Sequence, residues 1–258
     1  MCFQVKPVVK SHLIPAALYA LCAPEGGSPV RVGGGVVMPT DRQTWAYLLC
    51  EKCEDILNSG GESWAIPRLA TIDGTFPLFE LLAGEQLVFW EGDEAIYNVR
   101  TNATIDVEKL THFALGIFWK ASVASWRRDE KEPMIKLGPY ADRLRGWLTG
   151  ETAFPRHIWL SVTVSKLGQA WITLNLPIRS EFKGCPTYLL HVPGVLFILS
   201  VGQSVPTEMK MICFHETPEH PIFVSKDIMA KFAGFLGEQF RDSRKTMAYM
   251  KAMAKRRG

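Results

Sequence analysis

The chain has 258 residues, of which 47% are hydrophobic and 21% charged, and its formal net charge is +3. An apolar content of this size is ordinary for a folded core, so the composition excludes an intrinsically disordered protein. No apolar run approaches the roughly 20 residues that span a membrane, and the N-terminus lacks the apolar stretch of a signal peptide, which together predict a cytoplasmic protein without membrane contacts.

The first 64 residues are predicted to form a small module. Residues 5–14 have an extended, apolar character, and Pro15 can begin a helix because proline is tolerated at a first helical position. The glycines between positions 26 and 35 predict a flexible loop.

The module is predicted to close with a short helix. Residues 45–49 lead into a pair of cysteines, and the helix is expected at 54–57. The sequence Asn-Ser-Gly-Gly at 58–61 is predicted to end this helix, since these residues tolerate the left-handed conformation of a helix C-terminus.

Residues 65–258 are predicted to form a larger mixed domain. Apolar runs at 87–90 and 95–99 flank the turn Glu91-Gly92-Asp93, which is typical of a hairpin. A 3.6-residue apolar period predicts helices at 107–126 and 140–148. Further apolar runs predict strands at 157–164, 170–176, 187–191, 195–201 and 209–214. The fold class expected for the chain is α+β, with an antiparallel sheet in the larger domain and a long C-terminal helix.

The C-terminal segment carries the basic excess of the chain. From residue 224 onward there are nine lysines and arginines against three acids. Ser225 is the predicted N-cap of a long helix whose apolar stripe runs from Ile228 to Phe240. The basic side chains expected to contact nucleic-acid phosphates are Arg241, Arg244, Lys245, Lys251, Lys255, Arg256 and Arg257. The alternative is a basic helix that is simply solvated.

The six cysteines suggest a metal site. In a chain without export signals, paired cysteines are more often metal ligands than disulfides, and a metal can replace part of the core of a small module. Cys50 and Cys53 have the spacing of a zinc knuckle. Near the N-terminus, Cys2 is followed at the same spacing by Val5 in place of a second cysteine. The cysteines that stand alone in apolar stretches, and are expected to be buried, are Cys185 and Cys213.

The order of these motifs resembles the core of HNH-type endonucleases of the zinc-ribbon kind. The segments that carry the resemblance are Cys2, Ser11-His12-Leu13-Ile14-Pro15 and Leu48-Leu49-Cys50-Glu51-Lys52-Cys53-Glu54. More narrowly, the chain is similar to uncharacterised bacterial proteins that combine an SHIIP-like segment with an LLCxxCE knuckle. Two later patches, at 118–123 and 137–140, are similar to segments of the same group.

The resemblance implies that residues 1–64 form an HNH-like zinc-knuckle module with a ββα-metal fold. In that family a histidine on the first strand is the general base that activates water, and a divalent cation, Mg²⁺ or Mn²⁺, neutralises the charge on the phosphodiester. Carried over by position, His12 is the catalytic base, and the ligands of a structural zinc ion are Cys2, Cys50 and Cys53.

The chain departs from the family pattern at several positions. Val5 stands where the fourth zinc ligand belongs. Ser11 precedes the histidine, where an acid or a second histidine often holds the catalytic cation. In the helix after the knuckle, Asn58 and Glu62 are the catalytic residues expected to offer oxygen ligands to that cation.

His12 keeps three open interpretations: a general base, a zinc ligand that replaces the missing cysteine, or a hydrogen-bonded core histidine. Cys22 is another candidate for the fourth zinc position. The function predicted is an HNH-like metal-dependent nuclease, or a nucleic-acid-binding protein that has lost catalysis, linked to mobile elements or to antiviral (phage) defence. The alternative is a non-catalytic protein–protein interaction protein in which zinc is a structural staple.

Overall fold

The computed structural model of the chain describes residues 1–2, 4–23, 30–33, 36–39, 43–100, 104–126, 131–165 and 173–225, with the backbone alone at 30–33 and 36–39. Its strands are β1 (Val9–His12), β2 (Val30–Gly33), β3 (Val36–Pro39), β4 (Trp45–Leu49), β5 (Gln86–Glu91), β6 (Glu94–Asn98), β7 (Ile158–Ser165), β8 (Ile178–Phe182), β9 (Cys185–Val192), β10 (Val195–Val201) and β11 (Pro221–Ser225). Its α-helices are α1 (Ala16–Leu21), α2 (Glu51–Leu57), α3 (Ser63–Ala65), α4 (Pro77–Leu81), α5 (Val107–Val123), α6 (Tyr140–Leu148) and α7 (Thr207–Met211). A π-helical turn (Asn58–Glu62) joins α2 to α3, and short 3₁₀ turns follow at Ile66–Arg68 and Leu82–Gly84.

Seven of these strands form one sheet, in the order β5-β6-β11-β7-β10-β9-β8. Neighbouring strands run antiparallel except β11 and β7, which are parallel. The middle of the sheet is apolar, and Leu160, Val162 and Phe197 are fully buried there. The fold is therefore mixed α+β with a mostly antiparallel sheet, as expected from the apolar runs.

Helix α5 packs on this sheet and is buried along most of its length. Its N-terminus is capped by Asp106, whose carboxylate accepts a hydrogen bond of 2.9 Å from the backbone N–H of Lys109. Phe113 of α5 meets Phe197 of β10 with ring centroids 6.1 Å apart. The helix predicted at 107–126 is confirmed as α5, although it ends at Val123, and the helix predicted at 140–148 is confirmed as α6 with the predicted bounds. Within the described ranges no helix, α5 included, combines the length and apolar character that a bilayer crossing requires.

Strands β1 and β4 form a separate antiparallel pair, and α2 follows β4 directly. The register places Val9 opposite Leu49 and His12 opposite Trp45, with an irregularity directly after Val9. At this irregularity the backbone N–H of Leu49 donates to the hydroxyl of the fully buried Ser11 at 3.1 Å. Ser11 therefore supplies a hydrogen bond where the ladder between the strands is interrupted.

Helix α2 ends at Leu57, as predicted, but residues 58–61 do not stop the helical course of the backbone in a left-handed conformation. The backbone continues through the π-helical turn into α3. A Cβ atom on Gly60 would lie 2.3 Å from the ring of His112, and one on Gly61 would lie 2.4 Å from the backbone nitrogen of Phe113. These glycines therefore serve the close approach of the turn to α5, a use of glycine that does not require a left-handed conformation.

Some strand predictions also differ from the structure. The apolar run at 209–214 begins in helix α7, because a run this short does not separate helix from strand by its period. No strand forms at 173–176, the described part of the run predicted at 170–176. The hairpin β2–β3 occupies part of the predicted glycine loop, and β8 and β11 had no strand prediction. The helix predicted after Ser225 lies outside the described residues.

One contiguous cluster of buried apolar side chains connects the first 64 residues with the rest of the chain. Leu13, Leu18 and Leu57 belong to the same cluster as Phe113 and Leu160. The boundary at residue 64 stays a prediction about domains, and the packing shows that the two segments share a core. The position of β1 and α2 therefore depends on α5.

Gly61→Ala is expected to lower the free energy of unfolding by about 1–3 kcal/mol, because the added methyl group meets helix backbone that cannot turn aside. Gly116→Ala is the matched control: its Cβ would lie 3.3 Å from a methyl carbon of Leu57, which can move, and alanine favours the helix. Thermal and urea unfolding measure both variants. Equal loss of stability in the two would contradict the close contact between the turn and α5.

Candidate metal centre and a separate histidine

Two cysteines come together where strand β4 passes into helix α2. Cys50 follows the last residue of β4 in an extended conformation. Its carbonyl accepts hydrogen bonds from the backbone N–H groups of Cys53 and Glu54, at 2.9 and 3.1 Å. This turn begins the helix and brings the thiols of Cys50 and Cys53 to the same place.

Cys2 joins this pair from the N-terminus. Its sulfur is 3.7 Å from that of Cys50, and the three sulfurs of Cys2, Cys50 and Cys53 all lie within 4.8 Å of one another. A tetrahedral ion with bonds of about 2.3 Å to sulfur separates its ligands by about 3.8 Å. The N-terminus is held by Arg145 of α6, whose guanidinium donates to the carbonyl of Met1 at 3.3 Å. The predicted ligands therefore form a cluster that could hold a metal ion.

The thiols of this cluster differ in their pKa. Hydrogen bonds with the backbone of Gln4 and with Cys53 lower the pKa of Cys2 to about 7. Burial, together with hydrogen bonds to Cys50 and Cys2, raises the pKa of Cys53 to about 11. All three are free thiols, and since metals bind thiolates, a bound ion would displace a proton from Cys53. Three sulfur donors suit a soft or borderline cation.

The cluster has no fourth sulfur or imidazole. All six cysteines and all six histidines of the sequence lie in the described residues, and only these three thiols gather in this way. The interpretations in which His12 or Cys22 completes the ligand set therefore do not match the arrangement. Val5 is fully exposed. The fourth position of a bound ion would be filled by water or another small ligand.

His12 lies at the opposite end of the strand pair from the thiols. Leu49, next to Cys50, is opposite Val9, and His12 follows three residues further along β1, a distance of about 10 Å in a strand. The helix α2 and the π-helical turn lead from the thiol end of the pair toward Glu62, whose charge acts on His12. The strand pair and the helix therefore hold the thiols and the histidine apart.

The surroundings of His12 favour its neutral form. The side chain is partly exposed. Burial, followed by the positive charges of Lys10 and Lys120, lowers the pKa of His12 below its ordinary value, while a hydrogen bond with Gln43 and the charge of Glu62 oppose this. The imidazole is therefore mostly unprotonated at pH 7, as a general base must be.

A buried lysine connects His12 to the turn that follows α2. Lys120 of α5 is 1% exposed, and its ammonium donates to the backbone carbonyl of His12 at 2.8 Å and to a carboxylate oxygen of Glu62 at 3.3 Å. The sequence interpretation assigned no role to this residue. A signal was available, because Lys120 is the only charged residue between positions 113 and 121, and lysine is almost never fully buried without a partner.

The other two predicted catalytic residues are placed differently from each other. Glu62 ends the π-helical turn and contacts Lys120 through one carboxylate oxygen. Asn58 is exposed at the start of the same turn and takes no part in these contacts. Apart from the thiols, no three His, Cys, Asp or Glu ligands gather among the described residues, so the protein ligands expected for Mg²⁺ are not brought together there.

The remaining predicted site residues fall into two groups. Cys185 and Cys213 are buried away from the cluster, as predicted. The predicted nucleic-acid contacts lie outside the described residues; they are Arg241, Arg244, Lys245, Lys251, Lys255, Arg256 and Arg257.

No protein-family model matches the chain, and no curated protein or solved structure matches it. The resemblance to HNH-type endonucleases therefore stays a hypothesis that depends on the motifs. A function has to be argued from the geometry around the thiols and His12.

Cys53→Ser is expected to abolish metal binding, because the cluster would keep only two thiols. Elemental analysis of the purified protein should give about one ion per chain for the wild type. Cys213→Ser is the matched control, since it changes another buried cysteine that lies outside the cluster. A metal content that is the same in the two variants would contradict the proposed ligands.

Proposed function

We propose that the protein is a zinc-braced, HNH-like hydrolase of phosphodiester bonds in nucleic acids, with His12 as its general base. The observation that carries the proposal is the strand–strand–helix unit formed by β1, β4 and α2. Three thiols gather at one end of this unit, and a partly exposed histidine with a lowered pKa lies at the other. On the basis of the resemblance, we also propose that the protein acts in the cytoplasm, in antiviral defence or in mobile elements.

Zinc is proposed for the thiol cluster because sulfur donors at tetrahedral spacing suit this borderline cation. The residues that would hold it are Cys2, Cys50 and Cys53. Its position supports a bracing role: it would fasten the N-terminal segment to the junction of β4 and α2. Because the thiol cluster lies apart from His12, we assign the zinc ion no part in the hydrolysis.

His12 is assigned the proton transfer that starts hydrolysis. The unprotonated ring nitrogen accepts a proton from a water molecule, whose oxygen then bonds to phosphorus as the bond to the leaving oxygen breaks. The leaving oxygen takes its proton from solvent. A divalent cation, Mg²⁺ or Mn²⁺, would supply charge neutralisation on the phosphate, and because few protein ligands are gathered near His12, it would depend on substrate oxygens for much of its coordination.

His12→Asn is expected to reduce cleavage of plasmid and single-stranded DNA at least about 100-fold in the presence of Mg²⁺ or Mn²⁺, because asparagine can form hydrogen bonds but cannot act as the base. His157→Asn is the matched control; His157 has a φ of 69°, a conformation that asparagine tolerates. Gel assays of nicking and degradation measure both variants. Cleavage that survives in His12→Asn would remove this residue from the mechanism.

The rate of cleavage is expected to increase with pH, to be half-maximal below the ordinary histidine pKa of 6.5 and to reach a plateau at higher pH, because the neutral imidazole is the active form and the pKa of His12 is lowered. At lower pH the ring carries a proton and cannot accept another. The dependence of kcat/KM on pH, measured between about pH 5 and pH 8 at constant metal concentration, tests this. A half-maximal rate clearly above pH 6.5 would show that a different group titrates.

The second candidate is a non-catalytic interaction protein in which the metal only braces the fold. The observation that favours it is the edge strand β5, where Leu87, Val88, Phe89 and Trp90 are 46–68% exposed. Exposed apolar stretches of this kind are typical of contact surfaces. Absence of cleavage in wild-type protein that retains its metal would favour this candidate, and salt-sensitive binding of nucleic acid without cleavage would indicate a binding protein.

A further inference from the structure

We propose that Lys120 is a positioning residue that fixes the place at which β1 presents His12; this rests on the proposed function of His12 as a base. The ammonium group donates to the backbone carbonyl of His12 itself, at 2.8 Å. The contact joins two segments that are 108 residues apart in the chain. Lys120 therefore acts on the backbone that carries the imidazole and does not need to touch a substrate.

The geometry makes this contact a specific one. Lys120 lies in the last turn of α5, where its neighbours Phe118, Trp119 and Ala121 are also buried. A buried ammonium needs partners, because the charge loses its hydration. The two partners that the structure shows, the carbonyl of His12 and the carboxylate of Glu62, lie on different elements. Lys120 therefore connects the end of β1 and the end of the π-helical turn to helix α5.

Placement of this kind affects a proton transfer strongly. His12 is the last residue of β1, so the paired residues of β1 and β4 hold the backbone only on the N-terminal side of His12. The next residue, Leu13, donates its N–H to the carbonyl of Thr44 at 2.9 Å, and the contact with Lys120 holds the carbonyl of His12. Loss of the latter leaves the peptide group that follows the base held only through the N–H of Leu13, and misplacement of the base by about 1 Å can cost roughly 100-fold in rate.

Charge and position can be separated by experiment, because several groups act on His12 from different elements. Lys10 faces it from its own strand, Gln43 from the segment before β4, Lys120 from α5 and Glu62 from the π-helical turn. Lys10 is exposed, and its ammonium lies 4.7 Å from the centre of the Trp45 ring. Removal of either lysine removes a positive charge from the surroundings of the imidazole, but only Lys120 donates a hydrogen bond to the backbone carbonyl of His12.

The test compares Lys120→Met with Lys10→Met. The pKa of His12 is followed by NMR titration of the imidazole resonances, of which the His12 signal is the one missing in His12→Asn. Both variants are expected to raise this pKa, whereas Glu62→Gln is expected to lower it. At a pH where His12 is neutral in all of them, Lys120→Met is expected to lose about 10- to 100-fold in kcat, while Lys10→Met keeps the wild-type value. Equal plateau rates in the two lysine variants would overturn the proposal.

Two further comparisons apply if Lys120→Met does not fold or if the wild-type protein does not cleave nucleic acid. If Lys120→Met does not fold because Glu62 is left without its partner, the double variant Lys120→Met/Glu62→Gln is compared with Glu62→Gln alone, and a further loss of rate is expected. If wild-type protein cleaves no nucleic acid, the proposed function fails, and the NMR signal of His12 decides the positioning separately. Broadening or doubling of this signal in Lys120→Met but not in Lys10→Met supports the role of Lys120, and an unchanged signal overturns it.

Discussion

The arrangement of the candidate site depends on one buried positive charge. An ammonium group that is 1% exposed on a largely apolar helix is stable only if polar groups reach it, and Lys120 is reached by the carbonyl of His12 and the carboxylate of Glu62. Glu62 reaches α5 because the glycines before it let the π-helical turn lie directly on the helix backbone. Close packing of the turn and burial of the charge are therefore parts of the same contact.

The thiols and His12 lie at opposite ends of the unit formed by β1, β4 and α2. The thiols gather at the junction of β4 and α2, and the histidine lies where β1 ends. Cys50 and Cys53 also belong to the buried cluster that includes Leu13 and Leu49, so a bound ion would add to an apolar core that already exists. This differs from small modules that fold only around their metal, and it is consistent with a cluster of three protein ligands in place of four.

Parts of this site could be predicted from the sequence because they depend on short spacings. Cys50 and Cys53 are three residues apart at the start of a helix, so their side chains lie close together in any surrounding structure. Cys2, which is 48 residues from Cys50, was assigned to the site from the resemblance to HNH-type endonucleases. Helix α5 was predicted from its apolar period, which extends over several turns. In contrast, the apolar run at 209–214 is too short for its period to separate helix from strand, and it begins in α7. The glycines at 60 and 61 were assigned to a helix end because their partner, α5, is about 50 positions away along the chain.

The sequence by itself therefore determined the α+β class, helix α5 and the proximity of Cys50 and Cys53, since each follows from residues close together in the chain. Only the tertiary structure decided that Ser11 supplies a hydrogen bond to an interrupted strand ladder, that His12 lies apart from the clustered thiols, and that Lys120 donates to the backbone carbonyl of His12. These outcomes depend on contacts between distant segments. Such contacts are set by how the helices and strands pack, and this packing cannot be predicted from the spacing of nearby residues in the sequence.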